Sequence, residues 1–320
     1  MHPLTIKRCL MINNVVVIGG INFDILSKTN QKYIEKTSNP SSISFSTGGV
    51  AKNIAEFLSG LKIETTLLGV VGKDIFGKYI LNELSIKNIN INHIKLSDIN
   101  SSGIYLSALN IKNNLIGAFS DMNIIDEINC DYIQSNFEII KKSNFVCIDT
   151  NLQLDILIYI INILNDCKIN FIIDVVSIEK SKKIYNIKNY IQYIKFNKDE
   201  FEIFFKINLD NLEDNLEVLF EIIPNNMKNV IITLGEKGII YINNIDKTYI
   251  KLNPPKTRIK NANGAGDSLV AGFVYGLINN FEIEKSLKYG MLCAKASLES
   301  NNTIAENISA EEIDQLYKEW

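Results

Sequence analysis

The sequence predicts an α/β protein: a doubly wound, mostly parallel sheet flanked by helices, with a small inserted β-sheet lid. Two observations predict the body. Short β-branched runs alternate with longer runs of helical periodicity, and Gly-Gly turns follow the first strand and precede the first helix. A third predicts the lid: stretches 31–46 and 102–122 break the alternation with short strands joined by polar turns, apolar residues alternating in SGIYLSAL. No linker or repeat interrupts the chain, so 1–320 is expected to be one domain with the lid built into it.

The elements follow in order. NVVVIGG at 14–20 is an unbroken apolar run ending in Gly-Gly, as a central strand buried on both faces requires. Residues 50–61 carry apolar side chains at helical spacing; 65–72 is a strand and 76–86 a helix. Strand, helix and strand repeat at 144–149, 152–164 and 170–176. Strands at 190–196 and 229–234 precede a hairpin-like pair, 238–243 and 248–252, and helices at 266–278 and 283–298 close the body.

Composition narrows the function. Of 320 residues 46% are hydrophobic and 22% charged, and the formal net charge is −3, which excludes disorder and supplies no basic footprint for nucleic acid or an anionic membrane. Small molecules are the expected partners. Five scattered cysteines, Cys9, Cys130, Cys147, Cys167 and Cys293, form no CxxC pair and fit a reducing, cytoplasmic setting. The opening residues MHPLTIKRCLMINN lack the apolar core of a secretory signal, and no run reaches the ~18 apolar residues of a membrane span.

The sharpest chemical feature is Asn263-Gly264-Ala265-Gly266-Asp267, which opens a helix. Small residues at a helix N-terminus let backbone N–H groups close on an anion. Asp267 would repel a bound phosphate, yet it is well placed to take a proton from a hydroxyl that attacks one. A first-turn carboxylate favouring the helix dipole is the plainer alternative. Asn22 and Asp24 are alternate residues pointing the same way, an amide and a carboxylate suited to vicinal sugar hydroxyls, or else an Asx turn. A second Gly-Gly turn, Gly48-Gly49, sets Asn53 in the first turns of a helix. Neither G-x-x-x-x-G-K-[ST] nor G-x-G-x-x-G occurs.

This set resembles the ribokinase-like (PfkB) family of sugar and nucleoside kinases: G-G-x-N-x-D, G-G-x-x-x-N and G-A-G-D occur in the family's order over about 14–298. The resemblance implies Asp267 as catalytic base and Gly264, Ala265 and Gly266 as anion hole. It implies Asn22, Asp24, Gly48, Gly49 and Asn53 around the acceptor's ribose. It places Asn197, Thr233, Gly235, Gly238 and Asn263 on the ATP side, with Glu200 ordering Mg²⁺ through water. Asn197 and Glu200 also have the spacing of a helix capping box, and Thr233 to Gly238 that of a plain hairpin entry. Asn261 stands where many relatives carry an Asp that helps hold a monovalent cation, so potassium activation is left open.

Within the family, Ser38-Asn39-Pro40, Asp121-Met122-Asn123, Asp149-Thr150-Asn151 and Asp174-Val175-Val176-Ser177 resemble the pseudouridine kinases. The resemblance implies ATP-dependent phosphorylation of the pseudouridine 5′-hydroxyl, with Asp121 at the acceptor and Asn123 and Asn151 reading the base. The alternatives are ribokinase, adenosine kinase or hexose kinase activity, and a nucleoside-binding protein without catalysis. Lid edges pairing between two copies would give a homodimer.

Overall fold

A computed structural model describes residues 13–212, 215–305 and 308–320; the N-terminal reading and Cys9 lie outside the described residues. In chain order the strands are β1 (Asn14–Ile18), β2 (Asn22–Thr29), β3 (Ser41–Gly48), β4 (Glu64–Leu68), β5 (Val70–Gly72), β6 (Lys95–Ser97), β7 (Gly103–Leu109), β8 (Leu115–Asp121), β9 (Phe145–Asp149), β10 (Asn170–Asp174), β11 (Ile191–Asn197), β12 (Met227–Thr233), β13 (Ile239–Asn243) and β14 (Thr248–Leu252). The helices are α1 (Val50–Gly60), α2 (Ile75–Ile86), α3 (Cys130–Ser135), α4 (Phe137–Lys141), α5 (Leu154–Cys167), α6 (Ile178–Ser181), α7 (Lys198–Phe205), α8 (Leu219–Ile222), α9 (Ala265–Ile278), α10 (Ile283–Leu298) and α11 (Ala310–Glu319).

Eight strands form the main sheet in the order β14-β13-β12-β11-β10-β9-β1-β4, parallel except for β13 and β14. The all-apolar run of β1 is explained by its two covered faces. Val15 and Val17 belong to the core shared with α1, α9 and α10, Val16 and Ile18 to the core on the other face shared with α5 and α7. From β1 the chain goes first to β4 on one side, and only later to β9 on the other. That reversal opens a crevice at the carboxyl ends of β1 and β9, where ligands of open α/β sheets bind.

Four points differ from expectation. The strand expected at 65–72 is two strands, because the chain leaves the main sheet at Gly69. There a Cβ would strike Ile21 Cδ1 at 2.4 Å, and the Gly69 carbonyl accepts from Lys95 N at 2.9 Å. Residues 22–29, for which no strand was expected, form the separate strand β2. The break falls at Gly19-Gly20, where Gly20 N donates to Asp149 Oδ2 at 2.8 Å. The stretch 31–46 is accordingly a loop to residue 40 followed by β3. Finally, α11 went unpredicted although Ser309 and Glu312 form a capping box, a signal legible in S-A-E-E.

The second sheet has the order β3-β2-β7-β8. Its register sets Asp24 between Ser46 and Tyr105, and Ile25 between Phe45 and Leu106, with Leu106 opposite Phe119. Alternation therefore gives it a polar face toward the body and an apolar row on the other, where Phe45 is 60% and Phe119 71% exposed. Among the described residues no helix is long and apolar enough to cross a membrane.

Candidate active site

Three charged side chains lie in one row at the carboxyl ends of neighbouring strands: Asp149 on β9, Asp174 on β10 and Lys195 on β11. All are buried. Asp149 joins three segments, its carboxylate accepting from Gly20 N at 2.8 Å, Ala51 N at 3.1 Å and Asn151 N at 2.9 Å. It thereby clamps the start of α1 against the end of β1. Gly49, at φ +104°, must be glycine there, since a Cβ would meet the Gly20 carbonyl oxygen at 2.2 Å.

This placement of α1 carries Asn53 to the N-terminus of α9, where its Nδ2 donates to Asp267 Oδ2 at 2.7 Å. Gly264 caps that helix at φ +75°, and a Cβ on it would strike the Thr303 carbonyl oxygen at 2.3 Å. Ala265 and Gly266 form the first turn, so Gly264 to Asp267 bring uncapped backbone N–H groups to the crevice. Burial raises the Asp267 carboxyl to about 7, with the charges of Asp174 and Asp149 acting the same way and Asn53 and Lys195 opposing. A carboxylate half-ionised near neutrality, beside N–H groups able to hold an anion, can accept the proton of a hydroxyl that attacks a phosphoryl group.

Lys195 was missed from sequence. Its Nζ is 3.2 Å from Asp174 Oδ2 and 2.9 Å from where a Cβ on Gly266 would stand, so it lies directly behind the Gly264–Asp267 turn. Burial disfavours its charge, but Asp174, Glu200 and Asp267 outweigh burial and hold the ammonium above the ordinary lysine range. The available signal was a lysine inside the apolar run YIKF of a strand covered on both faces. Beside it, Val176 sits at φ +61°, costly for a β-branched residue, with its N–H donating to Asp174 Oδ1 at 2.9 Å.

Of the acceptor-side residues Asp24 lines a cleft of about 450 Å³ between the small sheet and the body, together with Ser46, Tyr105, Lys52, Asn263 and Thr303, whereas Asn22, Gly48, Gly49 and Asn53 do not wall it. Asn22 donates to the Asp24 carboxylate, and Gly48 leaves room for it: a Cβ there would come within 2.3 Å of Asp24 Oδ2. Burial raises Asp24 to about 6, against the pull of Asn22 and Lys52. Asp121 and Asn123 stand exposed at the end of β8, hydrogen-bonded to each other at 3.1 Å and outside the cleft lining. Asn151 is buried beside Gly20, its Oδ1 taken by Lys180.

On the far side, Asn197 lies opposite Thr233 across β11 and β12, and Gly235 and Gly238, both at positive φ, turn the chain into β13. A Cβ on Gly235 would meet nothing within 4 Å, so this turn is open to an incoming ligand. Asn197 and Glu200 do form a capping box: Glu200 Oε2 accepts from Asn197 N at 2.7 Å, and Asn197 Oδ1 from Glu200 N at 2.8 Å. This leaves Glu200 Oε1 to accept from a metal's waters, while the Asn197 N–H₂ can only donate and suits a phosphate oxygen. Among the described residues no group of three acidic, His or Cys side chains could hold a metal unaided. That donor set fits Mg²⁺, which keeps most of its waters and is carried largely by substrate phosphates. Asn261 Oδ1 accepts from Asn263 N at 3.0 Å and its Nδ2 donates to the Asn301 carbonyl at 3.5 Å, so it ties its turn to residue 301.

Known proteins agree with this architecture. A family model described as pfkB family carbohydrate kinase matches residues 12–310. The pseudouridine kinase of Escherichia coli is 27% identical over 295 residues, 92% of this chain and 93% of that protein. A carbohydrate kinase from Agrobacterium tumefaciens superposes with a TM-score of 0.82 at 21% identity, covering 96% and 97% of the two chains. Arabidopsis thaliana ribokinase, solved with ribose and ATP, does so at 0.80 and 17%, covering 96% and 99%. The chain belongs to the pfkB family of carbohydrate kinases, enzymes that transfer a phosphoryl group to a hydroxyl.

Proposed function

We propose that this kinase transfers the γ-phosphoryl group of ATP to the 5′-hydroxyl of a ribonucleoside, pseudouridine, giving pseudouridine 5′-phosphate. The observation that carries the reading is the buried Asp267 carboxylate at the mouth of the Gly264–Gly266 turn, held by Asn53 and raised to about 7. Asp24 and Asn22 bind the ribose hydroxyls from the lid side and direct the 5′-hydroxyl at Asp267, which takes its proton as the oxygen attacks. N–H groups of the Gly264–Gly266 turn, with Lys195 behind them, stabilise the charge on the transferred group. Mg²⁺ bound with the nucleotide would share the phosphate charge, its waters held by Glu200, while the Asn197 N–H₂ would donate to a phosphate oxygen. The small sheet acts as a lid that excludes water during transfer.

The sign of the pH dependence follows. Asp267 accepts a proton only when ionised, so kcat/KM should rise with pH, half-maximal near 7 and falling about tenfold per unit below. A profile flat from pH 5.5 to 8 would remove Asp267 from the role of base.

Pseudouridine as acceptor is supported by the similarity to the E. coli enzyme and by the Asp121-Met122-Asn123 segment where the chain leaves lid strand β8. We assign base reading to Asn123 from the lid and Asn151 from the body, since amides match the paired carbonyl and N–H groups of a C-linked uracil. A coupled ADP assay over pseudouridine, uridine, adenosine, ribose and fructose tests this. Pseudouridine should give the highest kcat/KM; faster turnover of free ribose would reassign the enzyme as a ribokinase.

With scattered free cysteines and no cationic field, we place the enzyme in the cytoplasm with only small-molecule substrates. Phe45 and Phe119, exposed on one face of the small sheet with half-buried Ile25 and Leu106 between them, mark where a second copy would dock. Light scattering should then give twice the chain mass, and Phe119→Asp should return it to one.

A further inference from the structure

Lys52 is buried, 3% exposed, yet the chemistry above gives it no task. An ammonium removed from water costs several kcal/mol unless fully partnered, so its partners are informative. There are three. Nζ donates to the Thr47 carbonyl near the end of β3 at 3.0 Å and to Asn53 Oδ1 at 3.3 Å, and it pairs with Glu56 Oε2 at 2.5 Å. Glu56 also holds Lys87, the residue that caps α2.

The contact with Asn53 has a consequence for the site. A side-chain amide has one accepting and one donating end. With the ammonium on Oδ1, Nδ2 must face the other way, and Asp267 Oδ2 lies there at 2.7 Å. In the flipped amide an oxygen would face the carboxylate, two acceptors in contact, and the ammonium would face N–H₂. Lys52 disfavours that state from one side and Asp267 from the other.

We propose that Lys52 is a positioning residue for phosphoryl transfer: it fixes the Asn53 amide in the orientation that holds Asp267, and ties that orientation to the end of the lid strand β3. The proposal rests on the reading of Asp267 as base. It separates Lys52 from an ordinary helix ion pair, whose role would end at Glu56.

The test is a cycle in a Glu56→Gln background, so that removing the lysine strands no buried carboxylate. In that background Lys52→Met should lower kcat about tenfold with less than a threefold change in KM for ATP. In the same background carrying Asn53→Ala, Lys52→Met should change kcat less than twofold, because the group it acts through is gone. Equal losses with and without Asn53 would overturn the proposal. So would a loss carried wholly by the acceptor KM, since Lys52 would then be only a cleft wall. If the Met variant fails to melt cooperatively, Lys52→Gln replaces it in the cycle under the same criterion. The two readings fail separately: near-normal turnover by Asp267→Asn removes the base itself, whereas an inactive Asp267→Asn enzyme with additive Lys52 effects removes only the relay.

Discussion

Asp267→Asn should lower kcat by about 10² or more while leaving the dissociation constants of ATP and acceptor within a fewfold of wild type. The amide keeps the shape of the carboxyl but takes no proton. It also leaves the backbone N–H groups and Lys195 where they are, so substrate binding survives. The same variant should be the more stable protein at alkaline pH. Burial raises the Asp267 carboxyl from 3.8 to about 7, so the folded state holds its proton more tightly than the unfolded state does. That stabilisation is complete below pH 4 and is lost as pH rises through 7. At pH 8 wild type carries a buried, disfavoured charge that Asn lacks, and the variant should melt higher, with the gap closing toward pH 4. Turnover near the wild-type rate, or a melting difference independent of pH, would contradict the assignment. An active group that lowers the stability of its own fold is the expected cost of function.

Asp149→Ala should have the largest effect on stability. Three buried backbone N–H groups, those of Gly20, Ala51 and Asn151, lose their acceptor at once. Each unpaired buried donor costs about 1–3 kcal/mol, so the loss should exceed ~3 kcal/mol in a urea titration. Asp149→Asn, which keeps one carbonyl oxygen, should lose less. Activity should fall in both, because the clamp that sets α1 on β1 also sets Asn53 on Asp267. A loss below ~1 kcal/mol for the alanine variant would mean that water or a shifted backbone replaces the carboxylate.

The uneven legibility of the site has a physical basis. Gly49 and Gly264 were readable because a glycine before a helix is a local demand, and both do adopt positive φ. The Asn197–Glu200 capping box was equally readable, its partners being three residues apart. Lys52, Lys195 and the tasks of Asp149 and Asp174 were not, because a buried charge shows its purpose only through partners on other elements. The partner that holds the break between β1 and β2 was hidden for the same reason, being a carboxylate 129 residues away.

The sequence by itself determined the alternating α/β body, the glycine turns and the motifs that mark a phosphoryl-transfer site, since these depend on periodicity and on neighbours a few positions apart. Only the tertiary structure decided that Asn53 meets Asp267 across 214 residues and that Lys195 stands behind the Gly264–Asp267 turn. It alone also decided that Asp267, among so many carboxylates, titrates near neutrality. The reason is electrostatic: a carboxyl's affinity for its proton is set by how deeply it is buried and by which charges face it, and here those charges come from β9, β10 and β11.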